Sequence, residues 1–130
     1  MEEIREVIEV IKEKMKNSYS VYSEFAVGAA VLGDNGNWYY GVNVENVSYG
    51  LTICAERNAV STAITEGVKK ILKVVVVADT EKPVTPCGAC REFIYEFADE
   101  ESLIYMANTK GEIISEKICN LLPMKFKFKK

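Results

Sequence analysis

The chain has 130 residues, 48% of them hydrophobic and 27% charged, with a net charge of −3. That length supports one domain with its own core, spanning 1–130, and the acidic balance offers no general attraction to nucleic acid, so a small free substrate is expected over a polymer. Histidine is absent, which excludes Ser-His and Cys-His triads and histidine metal ligands, and leaves acid–base work to a perturbed carboxylate, thiol, lysine or metal-bound water.

Ile4, Val7, Ile8, Ile11 and Met15 recur at helical spacing, with acids early and lysines late, and predict a first helix ending near Asn17. Small and β-branched residues over 25–32 predict a strand, Gly33-Asp34-Asn35-Gly36 a hairpin turn, and 37–44 the returning strand. Cys54 opens a second helix whose stripe is Ala59, Val60, Ala63 and Ile64, with Gly67 ending it. The nearly continuous apolar run 71–78 reads as a strand covered on both faces. A loop over 79–86 leads to a third helix from Cys87 that buries Phe93, Ile94 and Phe97. Short strands at 102–107 and 112–115 and a terminal helix at 116–122, stopped by Pro123, complete the chain. Helices separated by strands in this way predict a three-layer α/β/α domain.

No apolar run reaches the roughly 18 residues that a membrane span requires, and the acidic, amphipathic N-terminus does not read as a signal peptide. A cytoplasmic location, where thiols stay reduced, is expected. The basic end Lys125-Phe126-Lys127-Phe128-Lys129-Lys130 reads either as a solvated tail or as part of an interface.

Chemistry concentrates in Cys54-Ala55-Glu56 and Pro86-Cys87-Gly88-Ala89-Cys90. Three thiolates are one ligand short of a closed tetrahedral zinc shell, and an open position is the mark of a catalytic zinc. Both segments fall at loop-to-helix transitions, where unsatisfied N–H groups stabilise thiolates. Three thiolates leave the metal anionic, so Arg57, and Arg91 in the same way, are expected to draw charge off the sulfurs. Cys119, in the apolar context Ile118-Cys119-Asn120-Leu121-Leu122, is expected in the core; as a fourth ligand it would instead make a non-catalytic, zinc-stabilised module. A thioredoxin-like redox role for Cys87-Gly88-Ala89-Cys90 is also available, but Cys54-Ala55-Glu56 argues against it.

A CAE segment followed by PCxxC is similar to the zinc-deaminase signature, in which a glutamate that is not a ligand serves as acid and base. Tyr22-Ser23-Glu24-Phe25-Ala26-Val27-Gly28-Ala29, Asn43-Val44-Glu45-Asn46, Cys54-Ala55-Glu56-Arg57, Ala78-Asp79-Thr80, the run from Pro86 to Arg91 and Leu121-Leu122-Pro123 extend the likeness over essentially the whole chain. The chain resembles the cytidine deaminases, in their small homotetrameric branch. That resemblance implies a five-stranded mixed sheet, a Zn²⁺ cofactor, and hydrolysis of cytidine and deoxycytidine to uridine and deoxyuridine with release of ammonia, a pyrimidine-salvage reaction. It implies that Glu56 carries protons from water to the pyrimidine N3 and the leaving ammonia. Asn43 and Glu45, alternating along a strand, would grip the sugar hydroxyls. Phe25 would pack on the pyrimidine, and the backbone around Ala55 and 85–87 would read its polar edge. Phe126, and Tyr49 likewise, would reach across a subunit interface, so that a homotetramer shares its active sites. A deaminase of a cytosine antibiotic such as blasticidin S is the alternative with the same chemistry.

Overall fold

Side chains alternate strictly along the central strands, and this alternation sorts the interior into two layers. The computed structural model describes residues 1–128; of the basic tail, Lys129 and Lys130 lie outside that range. Helix α1 (Glu2–Lys14) runs into a short 3₁₀ turn, Met15–Asn17, and is followed by strands β1 (Val27–Gly33) and β2 (Trp38–Val42). Helix α2 (Ala55–Thr65), strand β3 (Ile71–Ala78), helix α3 (Gly88–Glu96), strands β4 (Ala98–Asn108) and β5 (Ile113–Lys117) and the single turn α4 (Ile118–Leu121) follow. The sheet order is β2-β1-β3-β4-β5; the β3–β4 pair is parallel and the other three pairs are antiparallel. This is the expected five-stranded mixed sheet between helical layers, and run 71–78 lies at its centre.

On one face, Ala30, Val75, Val77 and Ala107 pack against Ile4, Val7, Ile8 and Ile11 of α1, with Trp38 and Tyr40 half-buried beside them. On the other face, Ala29, Val31, Val74, Val76, Ile104 and Met106 meet Ala55, Ala59, Val60 and Ala63 of α2, Ile94 and Tyr95 of α3, and Ile118 of α4. Because α2 leads back into β3 and α3 leaves it by a parallel crossover, both helix N-termini point to the same end of the sheet, the C-terminal end of β3.

Three departures from expectation stand out. β4 begins at Ala98, ahead of the expected Ser102, because Ile71 N donates to Phe97 O at 2.7 Å and Ile71 pairs with Ala98. The exposed acids Asp99, Glu100 and Glu101 mask that stretch from any apolar pattern. In α3 the buried residues are Cys90, Ile94 and Tyr95, while Phe93 and Phe97, half-buried, stack edge-to-face at 6.0 Å. The terminal helix shrinks to 118–121 because Glu116 and Lys117 pair with Ile104 and Leu103 in β5.

Candidate active site

Two extended residues turn loops into helices and bring the thiols together. Cys54 is the N-cap of α2 (φ −70°, ψ 154°), and Cys87 is the N-cap of α3 (φ −68°, ψ 169°). Neither thiol makes a side-chain capping hydrogen bond, so both are free to bind a ligand. Cys90 lies in the first turn of α3, and the three sulfurs all lie within 4.8 Å of one another. Cys90 is buried, Cys54 half-buried and Cys87 exposed. Cys119 is not part of this cluster; it packs, half-buried, against the main core, as expected.

Arg57 donates through Nη2 to Thr52 O at 3.1 Å and towards Cys54 Sγ at 3.8 Å. Its buried Nε has no partner, which leaves a donor beside the sulfurs for a more negative thiolate cluster to engage. The donor set, the spacing and this orphaned guanidinium nitrogen fit a zinc ion on three thiolates with its fourth position open. Arg91 departs from expectation: it donates to the carbonyls of Pro86 and Leu121, both at 2.8 Å, and not to sulfur. Its guanidinium has turned to the backbone of the loop in front of α3 and to the turn of α4.

Without a metal, the thiols share their protons unevenly. A hydrogen bond from Cys90, helped by Arg57, lowers Cys54 to about 5, and that same hydrogen bond together with burial raises Cys90. Glu56, only 5% exposed, is pushed up to about 7 by burial, with the neighbouring Cys54 charge adding to the effect. A buried carboxyl poised near neutrality can both take and give a proton.

A cavity of about 340 Å³ collects most of the residues singled out in the sequence: Cys54, Ala55, Glu56 and Cys87 line it together with Phe25, Asn43 and Glu45. β2 stops at Val42, earlier than expected, but the chain stays extended through Val44, which bridges Tyr19 and Ile53, so Asn43 and Glu45 share a side. Both are clamped. Asn43 Oδ1 accepts from Ser18 Oγ at 2.5 Å and Val27 N at 3.0 Å, and its Nδ2 donates to Phe25 O at 2.9 Å. Glu45 accepts from the N–H groups of Tyr22 and Ser23, each at 3.0 Å, and from Ser23 Oγ. The Ser23 hydroxyl, then the two backbone donors, lower the Glu45 carboxyl below its ordinary value, so it stays ionised.

A second cavity of about 370 Å³, lined by Tyr22, Ser23, Glu45, Tyr49 and Thr52, adjoins the first through Ser23, Glu45 and Thr52. Tyr49 is thus a neighbour of the thiol cavity, 74% exposed and edge-on to Tyr22 at 5.9 Å. Phe126, 77% exposed, lines neither cavity.

Sequence reasoning assigned no role to Ser18 or Ser23, whose hydroxyls donate to Asn43 and Glu45. It also missed Gly41. A Cβ there would lie 2.7 Å from Ala55 O and 2.9 Å from the Asn58 carbonyl carbon, so only glycine lets the first turns of α2 press on β2. Asn58 Nδ2 closes that contact by donating to Val42 O at 2.8 Å. A glycine inside an aromatic strand was the available signal.

Three cysteine sulfurs within 4.8 Å of one another beside a buried carboxyl, set where two helix N-termini meet, fit the metal site of a zinc hydrolase. The chain belongs to the cytidine and deoxycytidylate deaminase family: the model of that family's zinc-binding region matches residues 1–106. Cytidine deaminase of Sporosarcina psychrophila is 43% identical over 124 residues, covering 95% of this chain and 91% of that one. Cytidine deaminase of Halalkalibacterium halodurans is 43% identical over 120 residues, covering 90% and 91%. The crystal structure of cytidine deaminase from Burkholderia pseudomallei superposes with a TM-score of 0.89 at 36% identity, over 94% of this chain and 98% of that one.

Proposed function

We propose that the chain acts as a single catalytic domain, 1–130, that hydrolyses cytidine and deoxycytidine to uridine and deoxyuridine with release of ammonia. The observation that carries this reading is that one cavity is lined by Glu56, Cys54 and Cys87 together with Phe25, Asn43 and Glu45. Cys54, Cys87 and Cys90 would hold a zinc ion, which would supply Lewis acidity toward water near neutral pH. Glu56 takes the proton from the attacking water, delivers it to N3 of the ring, and passes the second proton to the departing amine at C4, so water enters and ammonia leaves. Arg57 withdraws charge from the Cys54 sulfur, and Phe25 packs on the pyrimidine. The backbone at Ala55 and at 85–87 reads the polar edge of the base.

Asn43 and Glu45 hold the sugar. Each keeps hydrogen-bonding capacity beyond its internal partners: one N–H on Asn43 Nδ2 and a lone pair on Glu45 Oε2. Among the described residues no lysine or arginine lines either cavity, and the Glu45 carboxylate repels a phosphate, which favours nucleosides over nucleotides. The adjoining cavity has room for a larger sugar appendage, which makes a blasticidin-S-type antibiotic the second substrate to test.

Assembly as a cytoplasmic homotetramer with shared active sites completes the reading. Tyr49, which lines the adjoining cavity, and Val47, Leu51, Phe126 and Phe128 are large apolar side chains left exposed, and exposed apolar surface of this kind marks association surfaces. Among the described residues no helix is long and apolar enough to cross a membrane. The test is ultraviolet loss on incubation with cytidine, deoxycytidine, cytosine, deoxycytidine monophosphate and blasticidin S, with light scattering on the same sample. Fast turnover of the two nucleosides alone by a tetramer is expected. Equal turnover of free cytosine, or full activity in a monomer, would contradict the sugar contacts or the sharing of sites respectively.

A further inference from the structure

The loop between β3 and α3 is tied down unevenly. At its start, Thr109 Oγ1 donates to Asp79 at 2.8 Å, Asn108 Nδ2 donates to Glu81 O at 3.0 Å, and Lys110 pairs with Glu81 at 2.7 Å. Over 83–86 those anchors stop. Among the described residues, the one hydrogen bond to that stretch comes from Arg91 Nε to Pro86 O, at 2.8 Å. The other arm of the same guanidinium, Nη1, donates to Leu121 O at 2.8 Å, in a turn that Ile118 fixes to the core. No carboxylate pairs with Arg91 among the described residues, so its charge is directed entirely at carbonyl groups.

A guanidinium presents its donors in a rigid planar fork, and two carbonyls seated on one fork are held at a fixed separation. Here one carbonyl belongs to the core-anchored turn α4. The other immediately precedes Cys87, which is the exposed member of the thiol cluster and the one least supported by packing. The same stretch contributes Val84 and Thr85 to the wall of the cavity.

We infer that Arg91 is a positioning residue for the metal site: it braces Pro86 against α4 and so sets the place of Cys87 and of the Val84–Thr85 wall. This rests on the zinc-deaminase reading above. Arg57 and Arg91 then have different tasks, the first acting on sulfur charge and the second on ligand position.

The test uses the zinc-loaded protein and follows zinc transfer to an excess of a chelating dye. Arg91→Met should release zinc about 10–100-fold faster than wild type, the range typical for loss of a group that orients a ligand. Arg91→Lys, which keeps the charge but reaches one carbonyl at a time, should fall between them, and it carries the comparison if Arg91→Met does not fold. Ile94→Val, in the same helix but on its core side, is the control for general loosening and should release zinc as wild type does. The KM for cytidine should rise in both Arg91 variants as the wall shifts. Wild-type release rates in both Arg91 variants, or equally fast release from Ile94→Val, would overturn the inference. A wild-type protein that takes up no zinc would overturn the zinc reading itself, and this inference with it.

Discussion

Each face of the sheet uses one glycine to let a helix approach closely, and the two are not equivalent. On the α1 face, a Cβ at Gly28 would come within 2.5 Å of Ile11 Cγ2 and 2.7 Å of Met15 Cγ, side-chain atoms that can yield only by repacking α1. On the α2 face, a Cβ at Gly41 would meet the backbone of Ala55, Asn58 and Ala59, which cannot yield. The α1 face is plain apolar packing that tolerates adjustment. The α2–α3 face positions chemistry through the backbone, because Cys54 and Glu56 start the very helix that Gly41 receives. A defect on the first face should appear as lost stability, and a defect on the second as lost function.

The sharpest test of that division is removal of the ligands. Cys54→Ala and Cys90→Ala should lose zinc and all measurable turnover, whereas Cys119→Ala, a core position outside the cluster, should retain both; elemental analysis beside the activity assay decides. Glu56→Gln comes next. It should keep zinc and substrate binding while turnover falls by about 10²–10⁴-fold or more, the contribution expected of a general acid–base group. Activity within about fivefold of wild type would remove Glu56 from the mechanism.

The glycine pair tests the comparison directly. Gly41→Ala should lower kcat/KM at least about tenfold, since a small misplacement of reacting groups is costly. Gly28→Ala should cost about 1–3 kcal/mol by overpacking, with the specific activity of folded protein unchanged. Ile11→Ala, which opens a cavity under α1, should cost about 2–5 kcal/mol in denaturant unfolding and leave zinc content intact. Loss of activity per folded molecule in either α1-face variant would break the division.

The smallest effect concerns Glu45. Its folded pKa is depressed by Ser23 and by the N–H groups of Ser23 and Tyr22, so its stabilising contribution is present above the unfolded value of 4.5 and is lost as pH falls through the folded one. Glu45→Gln should therefore flatten the acid-side fall in Tm below about pH 4.5. An unchanged acid limb would mean that the clamp does not stabilise the fold.

The two faces also differed in how far they could be read from sequence. The α1 face was legible almost in full, because Ile4, Val7, Ile8 and Ile11 recur at helical spacing and the burial follows that period. The thiol cluster was legible as well, since Cys87 and Cys90 share a helical turn and Cys54 sits at a helix start. What stayed hidden were contacts made to backbone. The two acceptors of Arg91 are carbonyls, which look alike beside any side chain, and Ser18 and Ser23 reach Asn43 and Glu45 from a segment without periodicity. The start of β4 was hidden for another reason: after Ala98 pairs with Ile71, the exposed acids Asp99, Glu100 and Glu101 form an irregular stretch before regular pairing resumes at Leu103.

Trp38 lies on the α1 face, half-buried, with its indole N–H donating to Glu3 at 3.2 Å, and it is the one tryptophan in the chain. The molecule therefore carries a built-in fluorophore that reports docking of α1 and has no part in the thiol cavity. Intrinsic emission should shift when α1 loosens, as in Ile11→Ala, and stay silent when a chelator strips the zinc. Thiolate-to-metal charge-transfer absorbance, followed with cobalt in place of zinc, would respond in the opposite sense. The two optical signals divide along the sheet, so one titration watched at both wavelengths separates damage to the scaffold from damage to the chemistry.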